Sequence, residues 1–331
     1  MQVQPFTISL EPPLQTAAGP MRHRRGFIVR DRVGDAVGIG EATPLVGWTE
    51  SLSACAAALT ADAPIDPDRT PAAHHAVELA ALVAEARRAE VSVAALLGAP
   101  AVATVAVNAT VGVGPPARVA DAVRRAVDAG YRTVKLKLTG DLTDVDRLIA
   151  AADAAGAARL RADCNGAADR ATAAAICAAA ADVGVEFIEQ PLPAAELDGL
   201  AELTATGCPI AVDEGLAQHD LAAIAEAGVT VVICKPMVHG GPRATLRLAA
   251  EARAVGLECV VTTTYDAAIA RTAAAHVAAA IGGPFAHGVA TGGRVATDIA
   301  PDPLSVIDGT VRIGTAVGLG GLAARRYDSG V

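Results

Sequence analysis

The chain lacks an excess of basic charge. Its 331 residues carry 27 Lys and Arg against 36 Asp and Glu, a formal net charge of −9, which argues against an electrostatic grip on nucleic acid or on an anionic membrane surface. Long hydrophobic runs are missing too. Hydrophobic residues make up 52% of the chain and aromatics 2%, but the apolar positions are mostly Ala and Val, broken every few residues by Asp, Arg or Glu. No stretch reaches the roughly 18 uninterrupted apolar residues of a membrane span. The opening MQVQPFTISLEPP has none of the basic, apolar and small-residue regions of an export signal, so a soluble cytoplasmic protein is expected. The six cysteines form no CxxC pair and read as small apolar fillers in a reducing compartment. None of the seven histidines forms an HExxH or similar pair, which argues against zinc.

Lysine is nearly absent. Three of the 27 basic residues are Lys (Lys135, Lys137 and Lys235) and the other 24 are Arg, while Asn occurs twice, at Asn108 and Asn165. Arg stays protonated in proteins, whereas a Lys amine can lose its proton when its surroundings depress its pKa. A chain that uses Arg almost everywhere has kept an amine at three places, and two of them are two residues apart.

The length suggests two domains or one large barrel with additions. From about residue 100 the sequence repeats a unit in which an Ala-rich amphipathic stretch ends at a Gly and a short apolar run follows. These glycines are Gly130, Gly156, Gly184, Gly207, Gly228, Gly256 and Gly282, at spacings of 21 to 28 residues, and Gly suits a helix C′ position because it reaches the left-handed conformation without a Cβ clash. The runs TVKLKL, ARLRAD, VEFIEQ, PIAVDE, VTVVICK and LECVVTT follow them, with TVAVNAT (104–110) before the first helix and FAHGVAT (285–291) after the last. Eight strands alternating with seven helices predict an α/β fold, a (β/α)7β barrel or modified TIM barrel, over residues 101–300. An open doubly wound sheet would carry G-x-G-x-x-G after its first strand, and NATVGVGPP does not supply it. Residues 1–100 read as an α+β capping domain, with strand-like QPFTISLE and RGFIVRD joined by GIGEATPLVGW, then helical stretches around 51–60 and 71–97. The tail, about 301–331, is expected to return and complete the cap.

In such a barrel chemistry sits at the C-terminal strand ends, where side chains alternate between interior and helix layer. Asn108, Lys135 with Lys137, Asp163 with Asn165, Glu189, Asp213 and Lys235 fall at the ends of six successive strands. Buried unpaired charge costs several kcal/mol, so these groups must satisfy one another. Asp163, Glu189 and Asp213 form a hard all-oxygen set suited to one Mg²⁺, with Mn²⁺ as its substitute; the competing reading is a salt-bridge network with the lysines. Cys164 and Cys234 point by alternation into the helix layer. Lys135 and Lys137 lie about 7 Å apart on one face, and at an effective dielectric near 20 they repel by roughly 2.4 kcal/mol, one to two pKa units. Un-neutralised carboxylates work the other way, so a base near neutral pH is expected when the metal is bound. Amines facing each other across such a site suggest removal of a proton α to a small-molecule carboxylate.

KLK at 135–137, DCN at 163–165, EQP at 189–191, DE at 213–214 and KP at 235–236 together resemble the enolase superfamily, in its muconate-cycloisomerase-like subgroup. RRGFIVRD with GIGEATPL, VNATV and HGVATGGRVATDI are similar to the o-succinylbenzoate synthase family. The resemblance implies that Asp163, Glu189 and Asp213 bind Mg²⁺ and that Lys137 removes the α proton and then helps a hydroxyl leave from the same face. It implies that Lys135 depresses the pKa of Lys137 and contacts the carboxylate, and that Lys235 stabilises the enediolate and stacks on the ring. The reaction implied is syn dehydration of 2-succinyl-6-hydroxy-2,4-cyclohexadiene-1-carboxylate to o-succinylbenzoate, a step of menaquinone biosynthesis.

Glu214 is expected to stand behind Asp213, with a ligand swap between them left open, and VTTTYDAAIAR departs from the small residues common in relatives, leaving the wall near Thr263 and Thr264 open. RHRR at 22–25 is placed in a cap loop, where Arg24 either meets a substrate carboxylate or is solvated. Gly292 and Gly293 form a weak candidate for a phosphate cradle, or by resemblance for a carboxylate or acyl pocket. Trp48 either covers the site or packs. The rivals are a racemase or epimerase of N-acylamino acids or dipeptides, a cycloisomerase, a Schiff-base aldolase using Lys235, and a non-catalytic small-ligand barrel. The oligomeric state is not fixed, and a monomer suffices.

Overall fold

The computed structural model describes residues 1–16 and 19–322. A long antiparallel pair, β1 (Gln2–Thr16) and β2 (Gly19–Val33), takes a third strand, β3 (Ala36–Ala42), and is followed by α1 (Leu52–Thr60), α2 (Pro71–Arg88) and α3 (Val93–Leu96). The sequence expectation of a connector at GIGEA is corrected here, because these residues form β3. The glycines serve packing rather than turning: a Cβ on Gly38 would lie 1.7 Å from the Ala80 carbonyl oxygen, and one on Gly40 1.8 Å from that of Ala76. Strand β3 therefore lies directly on the backbone of α2. The stretch read as one helix over 71–97 breaks between α2 and α3, where Glu90 takes φ 55°.

From residue 103 the alternation holds. In order come β4 (Ala103–Ala106), β5 (Ala109–Val111), α4 (Pro116–Asp128), β6 (Thr133–Lys137), α5 (Thr143–Ala155), β7 (Arg159–Asp163), α6 (Arg170–Asp182), β8 (Ile188–Glu189), α7 (Leu197–Thr204), β9 (Ile210–Val212), α8 (Leu221–Glu226), β10 (Val231–Cys234), α9 (Pro242–Ala254), β11 (Glu258–Val261) and α10 (Ala268–Ile281). All seven helix-stop glycines take φ between 56° and 90°, the left-handed state that favours Gly. Strands β5 to β11 form one curled parallel sheet in chain order. FAHGVAT contributes bridges instead of a full strand: His287 bonds to Ala106 and Asn108, and Gly288 to Val261, so this segment joins the two edges and closes an α/β barrel. The first barrel run is split, since β4 leaves the barrel and pairs antiparallel with the tail.

Alternation sorts each strand. Val134, Leu136, Leu160, Ala162, Ile188, Val212, Val232 and Cys234 join the large apolar layer under the helices, while Phe187, Ala211, Val231, Ile233 and Val260 fill the barrel floor. Arg161, on the inward face of β7, lies over the Phe187 ring at 4.6 Å and donates to Glu186 and to the Ala286 carbonyl. All six cysteines are free and buried, as expected of fillers.

After the barrel, β12 (Val295–Thr297) adds to the cap sheet beside β1, and β13 (Val306–Ile307) pairs with β14 (Thr310–Ile313), which pairs with β4. The tail run TVRI thus lies against β4, β12 extends the cap sheet, and the tail then returns to the cap, where Gly318 bonds Val91 and Val93 and Leu319 and Leu322 join its apolar cluster. The expected tail beyond Leu322 lies outside the described residues. The cap rests on α10, with Ile28, Ile39, Leu79, Leu82 and Val83 meeting Ile269 and Ala273. It also supplies that helix's missing cap: buried Glu41 accepts from the Ala267 and Ala270 amides, both at 2.8 Å, where α10 has no capping side chain of its own.

The β3–α2 contact generates a test. Gly38→Ala should lower stability by about 1–3 kcal/mol or more through overpacking against backbone that has no room to yield, read as a lower urea midpoint, whereas Gly47→Ala, where a Cβ meets nothing within 4 Å, should cost less despite its φ of 97°.

Candidate active site

The curled sheet brings all three lysines and all three predicted carboxylates to one end of the barrel. Lys137, Asp163 and Glu189 lie on one rung across β6, β7 and β8, and Lys135 lies a pleat deeper, level with Thr110 on β5. Lys135 Nζ bridges Asp163 Oδ2 at 2.7 Å and Glu189 Oε2 at 2.6 Å. Lys137 Nζ donates to Asp163 Oδ2 at 2.6 Å and Asn165 Oδ1 at 2.8 Å. Lys235 donates to Asp213 Oδ1. Its strand, β10, is separated from β6 by β7, β8 and β9, so Lys235 and Lys137 enter the mouth from opposite sides. The Lys137 side chain is 30% exposed and that of Lys135 13%, so Lys137 is the amine presented to a ligand.

The electrostatics follow from burial. Burial and then Asp163 and Asp213 push the Glu189 carboxyl up to about 8, against the pull of Lys135. Asp163 is held well below the usual carboxylate range: burial opposes its charge, but Lys135 and Lys137 outweigh burial. Burial also works against the charges of Lys135 and Lys137, yet Asp163 and Glu189 hold both amines above the ordinary lysine value, even though Lys135 pulls Lys137 down. As they lie, the ammoniums neutralise the acids, and among the described residues no three Asp, Glu, His or Cys side chains stand close enough to share an ion. The donor chemistry nonetheless fits a hard cation. All donors are carboxylate oxygens, and a cationic group already lodges where Asp163 and Glu189 converge.

Supporting residues complete the rim. Asn165, with φ 47°, takes its amide hydrogen bond to Asp163 Oδ1 at 2.9 Å and passes its side chain to Glu214 Oε1 at 3.2 Å. The second Glu214 oxygen is buried without a hydrogen-bond partner. Trp48, from the loop after β3, lies with its ring 3.5 Å from Lys235 Nζ, a cation–π contact that covers this side of the mouth. Trp48, Glu214, Lys235 and His239 line a cavity of about 320 Å³.

Other sequence candidates fall differently. Arg24 is in β2, not a loop, and is buried with its guanidinium donating to the carbonyls of Thr43 at 2.7 Å and Pro44 at 2.9 Å; it braces the Trp48 loop. Asn108 sits between β4 and β5, its amide turned to the Ala109 carbonyl and Thr110 Oγ1. Thr263 bonds Thr291 at 2.9 Å, and Thr264 bonds Asp266. At Gly292 a Cβ would meet Asp302 Oδ2 at 1.5 Å, and Gly293 lines a cavity with Asn108 and Arg294. Sequence reasoning missed Gln190, whose side-chain oxygen accepts from the Asp213 and Gly215 amides and so fixes the turn that carries Asp213 and Glu214. Its place inside EQP was the available signal.

A parallel α/β barrel with lysines and carboxylates gathered on successive strand ends has the form of an enzyme active site, and comparison narrows the class. The family described as Enolase C-terminal domain-like matches residues 118–322. The chain is 36% identical over 232 residues to an o-succinylbenzoate synthase from Thermobifida fusca (strain YX), across 66% of this chain and 70% of that protein. It is 30% identical over 263 residues to the L-Ala-D/L-Glu epimerase of Escherichia coli (strain K12), across 76% and 81%. The structure of a dipeptide epimerase from Methylococcus capsulatus, complexed with Mg and the dipeptide L-Arg-D-Lys, aligns with a TM-score of 0.86 at 29% identity, over 96% of this chain and 98% of that one. The chain belongs to the enolase superfamily and is one of its enzymes.

Gln190→Leu should orphan two buried amides at roughly 1–3 kcal/mol each. The expected result is a lower denaturation midpoint together with a fall in turnover, since Asp213 loses its support; an unchanged midpoint would show that the turn holds itself.

Proposed function

We propose that this protein is a Mg²⁺-dependent o-succinylbenzoate synthase, a carbon–oxygen lyase of menaquinone biosynthesis working in the cytoplasm. In this reading residues 1–100, completed by about 301–331, cap a (β/α)7β barrel over 101–300, and a monomer suffices. The observation that carries the chemistry is the pair Lys137 and Lys235, each seated on a carboxylate from opposite sides of one buried acidic mouth. The substrate assignment is supported by the likeness to the Thermobifida enzyme.

When bound, Mg²⁺ would be held by Asp163, Glu189 and Asp213 and would supply positive charge against the substrate carboxylate. Neutralising those acids removes what now keeps the Lys137 proton in place, and the adjacent Lys135 ammonium then favours the neutral amine. Lys137 takes the α proton at Nζ and returns it to the departing hydroxyl on the same face, so that a C–H and a C–O bond are broken and water leaves. Lys235 places its charge opposite, where negative charge develops on the substrate carboxylate, and Trp48 keeps water from that side.

A dipeptide epimerase is the second reading. It is favoured by Glu214, an acid that lines the 320 Å³ cavity and keeps one oxygen without a hydrogen-bond partner, and by the fold likeness to dipeptide epimerases.

Lys137→Arg, which keeps charge and reach but cannot take a proton at neutral pH, should abolish dehydration while Mg²⁺ binding by calorimetry persists, and chelation should silence the wild type. Substantial activity in either experiment removes the base or the metal from the proposal. The two readings separate in D₂O: rapid α-deuteration and racemisation of a dipeptide beside feeble dehydration would establish the epimerase, whereas the synthase should dehydrate with little action on the dipeptide.

A further inference from the structure

A second cavity, of about 200 Å³, lies where the two edges of the barrel meet, between Asn108 and Thr110 on one side and Tyr265, Thr291 and Arg294 on the other. Thr110 is level with Lys135 on the neighbouring strand, so the cavity lies one strand away from Lys135. Among the described residues its lining includes no carboxylate, and Arg294 is its charged group. The two acids closest to Arg294 along the following segment are committed elsewhere: Arg271 holds Asp298 at 2.8 Å and Asp302 at 3.3 Å. The half-buried Arg294 side chain is left without a hydrogen bond or ion pair among the described residues. Its backbone is fixed, because its amide donates to Thr291 at 3.1 Å and the turn is pinned where Gly292 packs on Asp302.

A half-buried guanidinium that shares a cavity with hydroxyl and amide groups and has no acid to answer it can take up an anion. We propose that Arg294 binds the second carboxylate of a dicarboxylate substrate, holding the end remote from the reacting carbon. The inference rests on the proposed dehydration for the substrate's identity, and assigns the residue that would select a succinyl tail over an uncharged one. The same cavity has no carboxylate to meet the ammonium of a dipeptide.

The test pairs o-succinylbenzoate with 2-butanoylbenzoate, in which a methyl replaces the tail carboxylate, in calorimetric titrations with Mg²⁺ present. Wild type should bind the dicarboxylate about 10- to 100-fold more tightly, the range for hydrogen bonds to charged groups. Arg294→Ala should erase that preference by weakening the dicarboxylate alone, and Arg294→Lys should restore part of it. Equal weakening of both ligands, no weakening, or no preference in the wild type would overturn the assignment. Proton exchange in D₂O with N-succinyl and N-butanoyl amino acids separates the two proposals. An Arg294-dependent preference for the succinyl compound without dehydration retains Arg294 and removes the synthase. Full dehydration by Arg294→Ala with its tail preference intact does the reverse.

Discussion

Three carboxylates and three ammoniums share one buried end of a barrel, and the need to neutralise them in a low-dielectric interior constrains everything around them. A buried charge deprived of its partner costs several kcal/mol, so each acid must be met by a cation at hydrogen-bonding distance. The barrel meets this demand by register: Lys137, Asp163 and Glu189 fall on one rung, and Lys135 reaches up from the rung beneath. Below the acids, Arg161 pairs with Glu186 and lies over the Phe187 ring, so the apolar floor carries a paired charge of its own. The same balance holds the Lys135 and Lys137 amines above the ordinary lysine value; in the proposed reading a bound cation would take over the acids and release the Lys137 amine.

Much of this was legible in the sequence because it depends on period and scarcity. The helix-stop glycines mark the repeat, period-two alternation assigns Asp163 to the interior and Cys164 to the helix layer, and the rarity of lysine makes Lys135, Lys137 and Lys235 conspicuous in an arginine-rich chain. What was not legible depends on contacts between distant segments. GIGEA reads as a turn until α2 is laid against it, and then its glycines prove to be clearance for a helix backbone. Arg24 reads as a substrate contact or a solvated base until the Thr43 and Pro44 carbonyls meet it. Gln190 carries no charge and no periodic signal, yet two amides of another strand end depend on it. The split of the first barrel run into β4 and β5 follows from the pairing of β14 with β4, which no local pattern announces.

The site also divides its labour by position. In the proposed reading strand ends two to six hold the groups that would move charge. The junction of the first and eighth positions holds hydroxyls, an amide and a lone guanidinium, which bear on which molecule fits. On that reading the proton chemistry and the choice of substrate hang from different strands and need not vary together.

Glu41 gives the cap a role beyond shelter. Its carboxylate terminates a barrel helix, and two residues later the chain turns into the segment that carries Trp48 over Lys235. The roof is thus bolted to the wall at its inner edge, and Arg24 clamps the next two carbonyls. The Trp48 ring is therefore carried on a short stalk from a fixed frame.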